Sequence, residues 1–169
     1  MPGFQFASRR LRGNFELAMD AVGTDGLVLQ HVLDPALSED SSVSVARRAI
    51  RQNGLALQHA KSHLKDMREL VMEAVAQNGL ALKYASRRLR ANPHVVLVAV
   101  QQNGLALQYA APPLQGDRLI VLEAVRDDSN ALQFARSHLR DSYSIVDAAV
   151  HEVGASALAY PEWGPNFVP

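Results

Sequence analysis

Few residues in this chain have the type and spacing to do chemistry. His59 and His63 stand four apart, a spacing that on one helix aims two imidazoles at a single metal ion. No third ligand comes with them, and His59 stands where Tyr84, Tyr109 and Phe134 stand in neighbouring segments. It therefore reads as a partly buried packing residue, and no metal or cofactor is expected. Asp127 and Asp128 lie where other segments carry Gln-Asn and read as solvated turn residues. Gln-Asn-Gly recurs at Gln52, Gln77 and Gln102. Such amides along one edge could hold a peptide backbone, although turn formation alone accounts for them. The chain holds no GxSxG, HExxH, phosphate-binding glycine loop or EF-hand loop. With no cysteine it has no disulfide framework, thiolate zinc site or cysteine nucleophile. An enzyme is not expected, since catalysis needs one asymmetric cluster with distinct roles and similar groups recur here at each step. A unique site would have its neighbourhood at Ser129, Asn130, Trp163 and the tail.

Charge is balanced, with 17 Lys plus Arg against 17 Asp plus Glu. No global field draws the chain onto nucleic acid or an anionic membrane, and any basic surface must be local. Arg9, Arg10 and Arg12, Lys61 and Lys65, Arg87, Arg88 and Arg90, and Arg136 and Arg140 all fall near the end of a predicted second helix. There they meet the negative end of the helix dipole and the last free carbonyls. Stacked, they would also form a basic ridge able to meet an acidic partner or, as the alternative, phosphates. Pro112, Pro113 and Gln115 interrupt that row.

The elements that must position these residues come from a repeat. IRQNGLALQHA, VAQNGLALKYA, VQQNGLALQYA and VRDDSNALQFA begin at Ile50, Val75, Val100 and Val125, a period of 25 residues. Val22 opens an earlier copy after a three-residue expansion, and Val150 opens a decayed one. ASRRLR, found at both Ala7 and Ala85, indicates that the chain opens on half a unit. Apolar positions recur at three and four, so each unit reads as two short helices. The first buries Leu70, Val71, Ala74 and Val75 or their equivalents, and is capped at Asn14, Ser42, Asn92, Asp117 and Ser142. Pro93 takes the first helical position after Asn92. The glycines at 26, 54, 79, 104 and 154 are expected to end the first helix in the left-handed conformation. The second helix carries Leu80, Leu82, Tyr84, Ala85 and Leu89 or their equivalents. Alanine at 21, 49, 74, 99, 124 and 149 implies a helix crossing too close for a larger side chain.

Helices this short are marginal alone in water and must stack, which predicts an all-α fold: an α-solenoid of two-helix units with the 25-residue period. At roughly 10 Å per layer, six units make a rod of about 60 Å. The expected organisation is a half unit over residues 1–13, five helix pairs over 14–141, a degenerate sixth over 142–160 and a tail over 161–169. That tail sits in YPEWGPNFVP, in which Trp163 and Phe167 either cover the last pair or dock into a partner.

The capped first helix, AV-x-QNG, LALxYA and the closing LR resemble the tandem helical repeat family known as domain of unknown function 4116, from Phe4 to about Tyr160. Unit five departs at its turn, and unit six departs throughout. The resemblance implies an all-helical repeat module and carries over no activity and no catalytic residue.

The function expected is a non-enzymatic protein–protein interaction or scaffold module, such as a linker subunit of a larger assembly. Its partner-binding candidates are Trp163, Phe167, Arg87, Arg88, Arg90, Arg136 and Arg140. Nucleic-acid binding through the basic ridge is the alternative. The chain is expected to be monomeric by itself, with no membrane span. Its compartment stays open, with the cytoplasm as the default.

Overall fold

In the computed structural model the chain is described at residue 8 and over residues 14–32 and 38–153. The half unit over 1–13, apart from Ser8, lies outside the described residues, as do the chain beyond Val153 and the tail with Trp163 and Phe167. Every regular element among the described residues is helical, so the protein is all-α. The longer helices are α1 (Phe15–Thr24), α3 (Glu39–Gln52), α4 (Arg68–Gln77), α6 (Pro93–Gln102), α7 (Arg118–Asp127) and α9 (Tyr143–Val153), with the short α2 (Leu29–Val32) between the first two. Four of them, α4, α6, α7 and α9, begin 25 residues apart. Each long helix packs on the next, α1 on α3, α3 on α4, α4 on α6, α6 on α7 and α7 on α9.

The caps explain most of the starts. Asn14 accepts from the Leu17 amide, Asn92 from His94 and Val95, and Asp117 from Leu119 and Ile120, satisfying amides that the first turn leaves without a partner. Pro93 opens α6 as expected. Unit two differs: its cap is Ser38, whose hydroxyl accepts from the Ser41 amide, and Ser42 lies buried inside α3. The unit's extra length is spent on one more helical turn ahead of the predicted start.

The second half of each unit departs from the single helix expected. Gly54–His59, Gly79–Tyr84, Gly104–Tyr109 and Ser129–Phe134 are 3-10 helices. Each ends in an extended alanine at Ala60, Ala85, Ala110 or Ala135. A separate short turn follows, such as α5 (Arg87–Arg90) or α8 (Ser137–Arg140). With three residues per turn, Gly79, Ala81 and Leu82 all reach the interior, and the run is too short to repay an α-helical nucleus. The 3-10 helices form a second row, each packed on the next.

The core is the predicted stripe. Leu70, Val71, Ala74 and Val75, with Val95, Val96, Ala99 and Val100, are fully buried. The alanines at 56, 81, 106 and 131 are buried as well, although the leucine pattern around them conceals it. No helix among the described residues is long and apolar enough to cross a membrane.

Candidate functional site

Three sets of contacts join successive segments, the first at four seams, the second at three and the third at one, and they use the Gln-Asn-Gly residues, Asp127, Asp128 and Arg88. The first set accounts for Gln-Asn-Gly. Asn53, Asn78 and Asn103 each end the preceding helix in an extended conformation and accept, at the side-chain oxygen, from the amide two residues on. Each thereby caps a 3-10 helix. The glycine therefore begins the 3-10 helix, and none of the described glycines adopts the left-handed conformation expected of a helix stop. Their smallness serves a close approach instead. A Cβ on Gly54 would lie 2.6 Å from the Ala74 carbonyl oxygen of the next unit, and Gly26, Gly79 and Gly104 meet the carbonyls of Ala49, Ala99 and Ala124 in the same way. The alanine row is thus the partner of the glycine row.

The glutamine completes this arrangement across the seam. Gly26 N–H donates to Gln52 Oε1 at 2.9 Å, and Gly54 N–H to Gln77 Oε1 at 2.5 Å. Gly79 N–H donates to Gln102 Oε1. In unit five Asp127 takes the glutamine's place, its Oδ2 accepting from Gly104 N–H at 2.6 Å, while Asp128 caps as the asparagines do. The acidic pair at this turn is therefore also a pair of structural acceptors, with Asp127 still exposed to solvent. The glutamine oxygens are likewise engaged across the seams, each by one glycine N–H.

A second set runs through the backbone. Ser86 N–H donates to Lys65 O, Ala111 N–H to Arg90 O and Arg136 N–H to Gln115 O, at 2.9–3.0 Å. The third set lies at the seam between units two and three, where Asp66 accepts from the Ser86 hydroxyl and from Arg88 Nε at 3.1 Å. Arg88 Nη2 also donates to the Asp66 carbonyl at 2.8 Å. The Ser86 hydrogen bond first, and the arginine second, hold the Asp66 carboxyl below its ordinary 3.8.

These seams decide the fate of the basic residues. Arg88 is paired. Arg136 lies between the 3-10 helix that ends at Phe134 and α8, with no side-chain cap bond, and its stem lies beside Gly116. Arg140 ends α8. Lys65 Nζ donates to Gln58 O at 2.7 Å, and Gln115 Nε2, at the equivalent place, donates to Leu107 O and Gln108 O, so this position caps the preceding 3-10 helix. Arg90 shares the position, but its Nε is buried with no hydrogen-bond partner. Arg87 and Arg90 line an open recess of about 210 Å³ whose other walls are Ala110, Ala111 and Pro112. Sequence spacing did not foresee that recess; the signal that could have found it is Pro112, which replaces the polar residues Ser62, Arg87 and Ser137 of the other units.

His59 and His63 do not share a helix. His59 ends one 3-10 helix, and His63 precedes the next, with Nε2 3.6 Å from Glu39 Oε1. No group of three metal-ligating side chains stands together among the described residues. Burial, and then the charges of Lys65 and His31, hold the His59 imidazole below its ordinary 6.5. Its equivalents Tyr84 and Tyr109 share Lys83, whose ammonium is 5.8 and 5.9 Å from the two ring centres. Ser129 is buried at its seam, and Asn130 bonds to Asp128, so neither marks a separate site.

No curated protein and no solved structure matches the chain. Residues 67–115, which include the Gln-Asn-Gly triplets at Gln77 and Gln102, match the family model of the domain of unknown function DUF4116.

Proposed function

We propose that the chain is an α-solenoid of 25-residue units that works as a non-enzymatic protein–protein interaction or scaffold module, such as a linker subunit of a larger assembly. The observation that carries this reading is the repeated interlock. Four seams in succession have an acceptor side chain on the neighbour's N–H, and polar groups that could have formed a reacting cluster are spent in holding one unit to the next. Stacked units present a long surface set by backbone geometry, which suits binding by area. Nucleic acid is the weaker alternative, because Asp66 neutralises Arg88 in the middle of the basic row and phosphate binding draws on accumulated unpaired cations.

The test is affinity capture of the tagged full chain from its native source, with mass spectrometry and sizing. It is run beside a variant carrying Arg87→Glu and Arg90→Glu and a second lacking residues 160–169. A protein recovered in stoichiometric amount and lost from either variant supports the reading. Material removed by nuclease, with affinity falling steeply in salt, would replace it with the nucleic-acid alternative. Equal capture by all three chains would remove both proposed surfaces.

A further inference from the structure

The row of 3-10 helices carries one ring per unit, and the seams between these rings are not alike. His59, Tyr84, Tyr109 and Phe134 end successive 3-10 helices, each half-exposed. At the seam between Tyr84 and Tyr109 the chain supplies its own cation: the Lys83 ammonium stands over both rings, 5.8 and 5.9 Å from their centres, drawn by the negative faces of the two π-systems. One period on, the ring positions are Tyr109 and Phe134 and the lysine position is Gln108. The Gln108 side-chain amide turns back to donate to Leu105 O at 3.0 Å, so this position brings no charge to the seam. At the other end of the same two 3-10 helices, about 10 Å away by their length, Asp127 accepts from Gly104 N–H and Asp128 caps the second helix, where units two to four have a neutral Gln-Asn. No Lys or Arg among the described residues forms an ion pair with either carboxylate. Arg90 and Arg140 hold equivalent places in units three and five, so they do not set the two seams apart. The seam between His59 and Tyr84 has Gln58 at the lysine position, but its turn is the neutral Gln77-Asn78 and Lys65 lies near enough to act on the charge of His59.

We infer that the seam between Tyr109 and Phe134 binds a lysine side chain of a basic segment on a protein partner, its ammonium within reach of both rings as that of Lys83 is of Tyr84 and Tyr109. The equivalence runs position for position, since Gln108, Tyr109 and Phe134 are the residues one period on from Lys83, Tyr84 and Tyr109. Both rings are half-exposed, so the site is reached from solvent. Asp127 and Asp128 favour a cation over a neutral or acidic group, since their field extends over about a Debye length at physiological salt. A second lysine three residues along an extended segment, at about 3.3 Å per residue, spans the distance from the rings to these carboxylates. This assignment rests on the reading of the chain as a protein-binding module and names the chemistry of its partner.

The experiment follows the ring ¹³C–¹H resonances of Tyr and Phe in the full-length chain as N-acetylated, C-amidated hexalysine is added. Parallel titrations use the same peptide acetylated at every Nζ, and choline chloride. The Tyr109 and Phe134 signals are expected to shift and saturate with hexalysine. Gln108→Lys gives the seam a cation of its own and should weaken binding at least tenfold, whereas Gln101→Lys, which adds the same charge at the exposed end of α6, should weaken it less than threefold. Asp127→Gln combined with Asp128→Asn removes both charges and should weaken binding at least threefold. Gln108→Lys and the Gln-Asn turn copy what neighbouring units carry at the same positions, so both variants keep the fold, which thermal melts check. Four results would overturn the assignment: unmoved Tyr109 and Phe134 signals, equal loss from Gln108→Lys and Gln101→Lys, equal binding of the acetylated peptide, or saturation at lower concentration by choline, which would give the seam to a free or lipid-borne quaternary ammonium. Capture of the same protein by Gln108→Lys and by the native chain overturns it as well and leaves the module reading standing. Hexalysine binding without any captured protein removes the module reading instead.

Discussion

At the residue scale, the glutamine of each Gln-Asn-Gly does more than form a turn. Gln77 receives Gly54 N–H from the unit before it, and its own Nε2 points at the Gln52 carbonyl at 3.5 Å. Replacing Gln77 by Ala should lower unfolding stability by about 1 kcal/mol, since water can reach the exposed side of this bond but offers poorer geometry. Gln77→Glu, which keeps the acceptor oxygen, should cost less; chemical denaturation of the two variants checks the order. His59 gives a second prediction. The unfolded chain takes up a proton near the ordinary 6.5, while the folded site resists it until lower pH. Stability is therefore full above that value and falls as the pH drops through it. His59→Tyr, which matches Tyr84 and Tyr109, should flatten the stability profile between pH 7 and 5. An unchanged slope in thermal melts would assign the dependence to other groups.

At the element scale, the 3-10 helices are where local preference and packing diverge. LALKYA has a helical pattern, yet Asn78 caps it at one end, extended Ala85 stops it at the other, and Gly79 presses on a carbonyl of the next unit. The close approach demands glycine whatever the backbone angles. Gly79→Ala should therefore destabilise by about 1–3 kcal/mol, as overpacking against backbone does, whereas a glycine held only for a left-handed turn would have relieved no contact. Calorimetry should find the loss at Gly79 and at Gly104, both of which face a carbonyl, and little at Gly116, whose nearest neighbour is the flexible Arg136 stem. The start of α3 shows the reverse case. Ser38 and Ser42 are equally good caps by type, and the longer connection ahead of unit two settled the choice.

At the scale of the whole molecule, each long helix touches the next in order, and each 3-10 helix does the same. If stability is a sum over units and seams, removing one whole unit should be tolerated. Deleting residues 93–117 joins Asn92 to Arg118 and brings Gly79 N–H opposite Asp127, which already serves as an acceptor for Gly104. That chain should keep its helical circular dichroism per residue and a cooperative melt at a lower midpoint. Deleting residues 93–104 instead puts the stripes out of register and should abolish the melt. Equal behaviour of the two deletions would remove the 25-residue unit as the unit of stability.

The spacing of apolar residues was enough to determine that the chain is helical, where most long helices start, and which of their faces is buried, because period and capping are local properties. Leu70, Val71, Ala74 and Val75 lie in the core as that spacing requires. The seams were not local. That Gln77 belongs to Gly54, that Asp127 is an acceptor, and that Arg88 is held by Asp66 while Arg90 has an empty-handed Nε depend on which backbone groups two neighbouring units bring within reach. Identical triplets and identical basic pairs carry no record of that. The tertiary structure decided it, because a hydrogen bond between units is fixed by the offset of one stacked layer on the next.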